Sequence, residues 1–452
     1  MKPSVAETLA GDALALKARN LPAKVRAACE DLLLDVGGLC VAARRKDYVL
    51  SIRKSLDRGG KCTAIGHAGS LRAEDAALLN GTAAHGEDFD DTFEGGPVHS
   101  GAVVVPAVLA ACEHFGRSGR DALLGIATGV EALCRLSLVA PKKIHKAGFH
   151  PTAVLGVMGS TLGVATALGL NQKQTVHALG IAGSMAGGII EYLAEGAWTK
   201  RLHAGWAAQS GIRAARLAKQ GFTGPRTVFE GTHGLFFAFA HDADAQYEKL
   251  AAEFGKSWVM TGITFKPYAT GTMNQPYIDC ALRLAQQGFT AEDVAEVLCE
   301  TAEGYVNRLW EPLTAKQRPP NDYAAKFSTP FNIAVAFVTG GAGFKAFTSR
   351  TVRDKRVLAL AAKVRYAVDP DNPYPRAYTG HVKMTLKDGR VFEERQPHIR
   401  GGVHEPLPRA ELEQKFRGNA AWGGWSKASA ERFLAFARRA YDGKMDLSSF
   451  RS

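Results

Sequence analysis

None of the seven cysteines (Cys29, Cys40, Cys62, Cys112, Cys134, Cys280, Cys299) pairs with another as C-x-x-C. That absence argues against a zinc ribbon, an iron–sulfur cluster of usual spacing and a disulfide framework, and it fits a reducing cytoplasm. There is no P-loop, and Ser160 and Ser184 lack the flanking glycines of G-x-S-x-G. Gly341-Ala-Gly343-Phe-Lys-Ala346 matches a dinucleotide G-x-G-x-x-A, but no βαβ pattern surrounds it, so it reads as chance. Lysine and arginine form no run interleaved with aromatics, so no nucleic-acid partner is expected. The first twenty residues carry Glu7 and Asp12 and lack the positive flank and apolar core of a signal peptide; they read as an amphipathic helix. One uncharged run, Thr152 to Gln172, is long enough to raise a membrane span. Its four glycines and the absence of similar runs favour a buried central helix, and no membrane association is expected.

A chain of 452 residues exceeds one compact core, so two or more domains are expected. At 46% hydrophobic and 22% charged it reads as an ordinary globular protein, and glycines inside its apolar stretches point to closely packed helices. Residues 4 to about 250 are helical in pattern: Val25, Cys29, Leu32, Val36 and Leu39 keep the 3.6 period, and Asp121–Ser137 and Gly205–Lys219 look similar. Trp258 to Phe265, rich in β-branched and aromatic residues, predicts a strand. His381–Leu386 and Val391–Arg395, joined across Asp388-Gly389, predict a hairpin. Helical patterning returns over Pro406–Phe416 and Lys427–Tyr441. The expected fold is mostly α with an α+β insertion: a large helical domain from residues 1–265 and 399–452, and a smaller α+β domain from 266–398.

The densest chemistry lies between His85 and His99. Five groups able to move protons or bind cations (His85, Asp88, Asp90, Asp91, His99) fall within fifteen residues, between two apolar runs. If the helix running in from Leu71 continues, His85, Asp88 and Thr92 share one face. Such a face is costly to bury unless solvent, a metal or a substrate meets it. His150, before Pro151, sits at the mouth of the uncharged helix, where the positive helix pole favours a neutral imidazole. Lys200 and His203 share a face if helical and suit a carboxylate clamp. Lys266 stands where the pattern changes. The net charge of +12 has a ready reason in a small, multiply charged anionic substrate. Asp90-Asp-Thr-Phe-Glu94 also reads as DDxxE, a magnesium–diphosphate signature of helical terpene synthases; its usual N-x-x-x-[ST]-x-x-x-E companion is absent, so it stays a minor rival and no metal is expected.

Taken in order, these motifs resemble the MmgE/PrpD family, which includes 2-methylcitrate dehydratases, cis-aconitate decarboxylases and iminodisuccinate epimerases. The resemblance is carried by Asn80–His85, Asp88–Thr92, His99–Ala102, Gly148–Thr152, Thr199-Lys200 with His203–Gly205, Phe265–Tyr268, Phe327–Phe331 and Pro406–Phe416. It implies a large helical domain with a smaller α+β lid, usually in a homodimer, and a site between the domains. It also implies site residues at Asp88, Thr92, His99, His150, Lys200 and Lys266, with His203 in the same motif. Phe331 stands where the decarboxylase branch has a tyrosine, and Ala269–Asn274 follows Tyr268 where many members read proline–cysteine.

The activity so implied is a lyase on a small di- or tricarboxylate that uses no cofactor. A 2-methylcitrate dehydratase-like reaction is expected first; cis-aconitate decarboxylation, dicarboxylate epimerisation and a non-catalytic basic binding protein are the alternatives. In that scheme Lys200, Lys266 and His203 neutralise carboxylates, with Phe331 beside the substrate. His99 or His150 exchanges the proton, Asp88 orients an imidazole, and Thr92 holds a substrate oxygen.

Overall fold

Capping side chains set the starts of several helices in the first half of the chain. Ser4, Ser118 and Asn171 each accept the backbone N–H three residues on, while Glu7, Asp121 and Gln174 reach back to the cap's own N–H. Such reciprocal boxes satisfy donors that a helix start otherwise leaves orphaned. The computed structural model describes residues 2–57, 59–242 and 245–452, so Met1 of the expected N-terminal helix lies outside the described residues. The principal helices are α1 (Val5–Ala15), α2 (Ala23–Ala43), α3 (Ala73–His85), α4 (Ser100–Phe115), α5 (Gly119–Val139), α6 (Pro151–Leu168), α7 (Gln172–Gly183) and α8 (Thr199–Lys219). They are followed by α9 (Gln275–Leu284), α10 (Thr329–Thr339), α11 (Arg409–Trp422) and α12 (Lys427–Ala437).

By contacts the chain divides into two units, Met1–Ile263 with Arg409–Ser452, and Thr264–Pro408. The first is helical apart from two-residue strands, and both chain ends build it. The second carries one four-stranded sheet of β1 (Val294–Thr301), β2 (Val364–Val368), β3 (Gly380–Leu386) and β4 (Val391–Gln396), in the order β2-β1-β3-β4. The β1–β2 pair is parallel, with Val297 opposite Val364; β1–β3 and β3–β4 are antiparallel, with Val297 and Phe392 both opposite Met384. The β3–β4 hairpin turns at Gly389, whose φ of +86° is a conformation that glycine adopts without strain. α9 packs against β3 and β4. The fold is thus mostly α with an α+β insertion.

α5 and α6 are long and apolar enough to cross a membrane, yet both are largely buried in the first unit. They approach through glycines. A methyl group added at Gly129 would stand 2.7 Å from the carbonyl oxygen of Gly159, and one at Gly163 would stand 2.7 Å from that of Gly125. The uncharged run is therefore a central helix, and its glycines are contact points.

The strand expected at Trp258–Phe265 is largely absent. Val259–Gly262 is a 3₁₀ turn and only Ile263–Thr264 is extended. The cause is the buried Glu131–Arg135 pair of α5. Glu131 accepts the N–H groups of Val259 (3.1 Å) and Met260 (2.9 Å), while Arg135 donates to the Ser257 carbonyl at 2.7 Å. Those bonds outweigh a β propensity that is context-dependent in any case.

Candidate active site

Helix ends build the site in the first unit. α3 ends at His85, His99 immediately precedes α4, His150 immediately precedes α6, and Lys200 and His203 lie in the first turns of α8. The four imidazoles cluster: ring centroids are 4.8 Å apart for His85 and His99, 5.7 Å for His85 and His150, and 5.3 Å for His150 and His203. All four are buried, as are Asp88, Asp90, Asp91, Thr92 and Lys200.

α3 stops at His85, so the condition for His85, Asp88 and Thr92 to share a helix face is not met. Asp88 adopts φ +54°, a left-handed conformation uncommon outside glycine and often found at functional sites, and Thr92 sits in a two-residue extended segment. Asp88 pairs with Lys200. The carboxylate set against imidazoles is that of Asp90, the role the sequence reading gave to Asp88. Its Oδ2 accepts from His85 Nδ1 at 2.7 Å and lies 3.5 Å from His99 Nδ1. Asp91 ties the loop to the start of α4: its carboxylate accepts from the Ser100 N–H and hydroxyl, each at 3.0 Å, and from the Gly101 N–H at 2.9 Å. Burial, with Asp90 beside it, nonetheless pushes the Asp91 carboxyl up to about 7.

Further charges hold the loop from outside. Lys415 of α11 donates to the Phe89 carbonyl and pairs with Asp35, both at 2.7 Å, and Tyr48 donates to Glu87 at 3.1 Å. Sequence reasoning missed these supports because each partner lies far away in the chain.

The imidazoles have distinct jobs. His99 Nδ1 donates to the carbonyl of Asp91 at 2.7 Å; a carbonyl only accepts, so Nδ1 carries a proton and Nε2 is left for chemistry. His150 and His203 share one hydrogen bond, Nδ1 to Nδ1 at 3.1 Å. Burial, reinforced by the charge on its neighbours, holds His150 well below 6.5 and His203 down to about 4. Both are therefore neutral at pH 7, with the nearby Lys200 ammonium as the cation. Thr92 Oγ1 and His85 Nε2 are buried and hydrogen-bonded to no described residue. A buried polar atom left this way is where a ligand is worth most.

Among the described residues, His85, Asp90 and His99 are the group whose ligand atoms come within metal-binding range, all within 4.8 Å of one another. The 2.7 Å His85–Asp90 separation is a hydrogen-bond length. Two ligands ~2.0–2.2 Å from a tetrahedral zinc ion stand farther apart than that. In this structure His85 and Asp90 are hydrogen-bonded to each other, and His99 Nδ1 bonds the Asp91 carbonyl.

Lys266 and Phe331 belong to the second unit, where both are buried. Phe331 lies in the first turn of α10, its N–H donating to the capping Ser328 hydroxyl at 3.1 Å, and its ring centroid is 6.3 Å from that of Phe347. A second buried lysine, Lys326, donates to the Ala269 carbonyl at 2.9 Å. It stands just before the Phe327–Phe331 motif, and nothing in its local sequence marked it out.

Neutral imidazoles, a buried ammonium and paired carboxylates at converging helix ends are the equipment of an acid–base enzyme acting on an anion. The MmgE/PrpD N-terminal domain matches residues 7–248 and the MmgE/PrpD C-terminal domain residues 268–439. The chain belongs to the MmgE/PrpD family and is a lyase. It is 30% identical over 443 residues to cis-aconitate decarboxylase of Mus musculus, covering 93% of this chain and 88% of that protein. To the Homo sapiens protein of the same name it is 31% identical over 366 residues, 76% and 72% of the two chains. To that of Aspergillus terreus (strain NIH 2624 / FGSC A1156) it is 26% identical over 427 residues, 88% and 85%.

Proposed function

We propose that this lyase dehydrates a 2-hydroxy tricarboxylate of the 2-methylcitrate type, using side chains alone for acid–base chemistry. The observation that carries the reading is the geometry of one buried cluster, in which imidazoles lie beside a carboxylate and the Lys200 ammonium. His150 is held neutral, fit to act as a base, while His99 has a carboxylate near its Nδ1, which stabilises an imidazolium and suits it to act as an acid. His150 removes the proton from the carbon next to a carboxylate, the electron pair forms the carbon–carbon double bond, and the hydroxyl leaves with the proton of His99 as water. Lys200 offsets the charge that develops on the substrate carboxylate. The Thr92 hydroxyl holds a substrate oxygen. Lys266 and Phe331 enter this scheme through the family resemblance alone.

Decarboxylation of cis-aconitate is the second reading, favoured by the printed names of the relatives. Phe331 favours the first, because the hydroxyl of the tyrosine found in the decarboxylase branch is missing here. A mass-spectrometric product screen over citrate, 2-methylcitrate and cis-aconitate tests the proposal. The expected outcome is dehydration of 2-methylcitrate with little itaconate, and Phe331→Tyr should raise itaconate while leaving dehydration little changed. Efficient itaconate formation by the unmodified protein would overturn dehydration in favour of the second reading.

A further inference from the structure

Asp90 Oδ2 is shared. It accepts from Nδ1 of His85 at 2.7 Å and lies 3.5 Å from Nδ1 of His99, whose proton is already given to the Asp91 carbonyl at 2.7 Å. The His85 and Asp90 side chains are both 0% exposed, so water does not screen the carboxylate, and charge–charge effects are large there. His85 makes its side-chain hydrogen bond through Nδ1; Nε2 bonds to no described residue. His85 lies at the end of α3 and Asp90 in the loop beyond it, so the last turn of that helix sets how closely the carboxylate is held.

We infer that His85 and Asp90 form a positioning pair behind His99, in which Asp90 supplies the negative charge that stabilises the protonated His99 ring and His85 limits how much of that charge reaches it. The inference rests on the proposed acid–base role of His99. The other titratable groups facing the cluster include Asp88 and Asp91 from the same loop, Asp35 of α2, His150 at the start of α6, Tyr192 against His150 and His203, and Lys200 and His203 at the start of α8. All of these stay in place when only His85 or Asp90 is replaced. Removing Asp90's charge makes protonation of His99 harder. Removing His85 releases the carboxylate toward His99 and makes protonation easier. A pair that merely filled space would not move the titration of a neighbouring ring in opposite directions.

The test is NMR titration of the full-length protein carrying isotope-labelled histidine, with the His99 signal assigned through His99→Gln. For Asp90→Asn the His99 midpoint should fall by about 1–3 pH units, the usual effect of an opposite charge at this range. For His85→Asn it should rise, and for Asp90→Glu, which keeps the charge, it should stay near native. Should Asp90→Asn fail to fold, the rise with His85→Asn and the near-native Asp90→Glu midpoint carry the test. Midpoints that stay put in His85→Asn and Asp90→Asn, or that move the same way in both, would overturn the inference. Steady-state kinetics on the acid found in the product screen separates it from the functional reading. The alkaline limb of the pH–rate profile, where the acid loses its proton, should follow the NMR midpoint, with KM within a few-fold of native. If the midpoint moves as described while the rate ignores it, the pair stands and the acid–base role of His99 falls.

Discussion

The bodies of α5 and α6 and the ends of α4, α6 and α8 follow opposite rules within one unit. Where α5 meets α6 the contact is dry, and glycines bring backbone to backbone at Gly125, Gly129, Gly159 and Gly163. At the ends, buried groups are titratable: His99, His150, Lys200 and His203 sit on or near helix starts, whose positive poles favour anions and neutral imidazoles. The dry packing fixes where the helices start, and the starts place the chemistry. Stability resides in the first region and its expenditure in the second, as expected where buried charge is kept for function.

Breaking the polar region at its ion pair should have the largest effect. Lys200→Ala takes the ammonium from the buried Asp88 carboxylate, a change that costs about 3–5 kcal/mol in comparable buried pairs. Urea denaturation should show that loss, and Asp88→Asn added to Lys200→Ala should recover most of the stability without recovering activity. Recovery of both would mean that the pair is only structural.

Acid should weaken the same region. His203 is held down to about 4 and His150 lower than its ordinary value, so between about pH 4 and 6.5 the unfolded chain binds more protons at these sites than the folded one. Their stabilisation is complete above 6.5 and is lost as pH falls through that window, about 3 kcal/mol for His203 alone. Asp91, raised to about 7, works the other way: its contribution is complete below about 3.8 and lost as pH rises toward 7. His203→Gln isolates the imidazole contribution: denaturation midpoints should show the stability difference between native protein and variant shifting in favour of the native protein as pH rises from 4 to 6.5, and a difference independent of pH would contradict it.

The dry region can be disturbed on its own. Gly129→Val pushes side chain into the Gly159 backbone and should cost about 1–3 kcal/mol by overpacking. Calorimetry should show a lower Tm, while the pH–rate profile of the folded protein keeps its native shape. A changed profile would mean that the two regions are coupled more tightly than their separation along the helices implies.

The sequence disclosed these regions unevenly. Periodicity located α2, α5 and α8, Asp388-Gly389 located the hairpin, and the uncharged run read correctly as a buried helix. The clustering of Asp88, His99, His150, Lys200 and His203 within the first unit follows motif order along the chain. Which carboxylate serves which partner was not legible, because it depends on the helix stopping at His85 and on the left-handed turn at Asp88. That turn breaks helix-face arithmetic, sending Asp88 to Lys200 and leaving Asp90 for the imidazoles. The mistaken strand at Trp258 failed for a similar reason: Glu131 and Arg135, more than a hundred residues earlier, decide its hydrogen bonds.

The central claim, that neutral His150 is the base at the helix-end cluster, is tested most directly by following hydrogen–deuterium exchange on the substrate by NMR in D₂O, with native protein and His150→Gln side by side. Exchange at the carbon next to the carboxylate should fall by roughly 10²–10⁴-fold in the variant, with substrate affinity by calorimetry within a few-fold of native. Exchange at the native rate in His150→Gln would contradict the account.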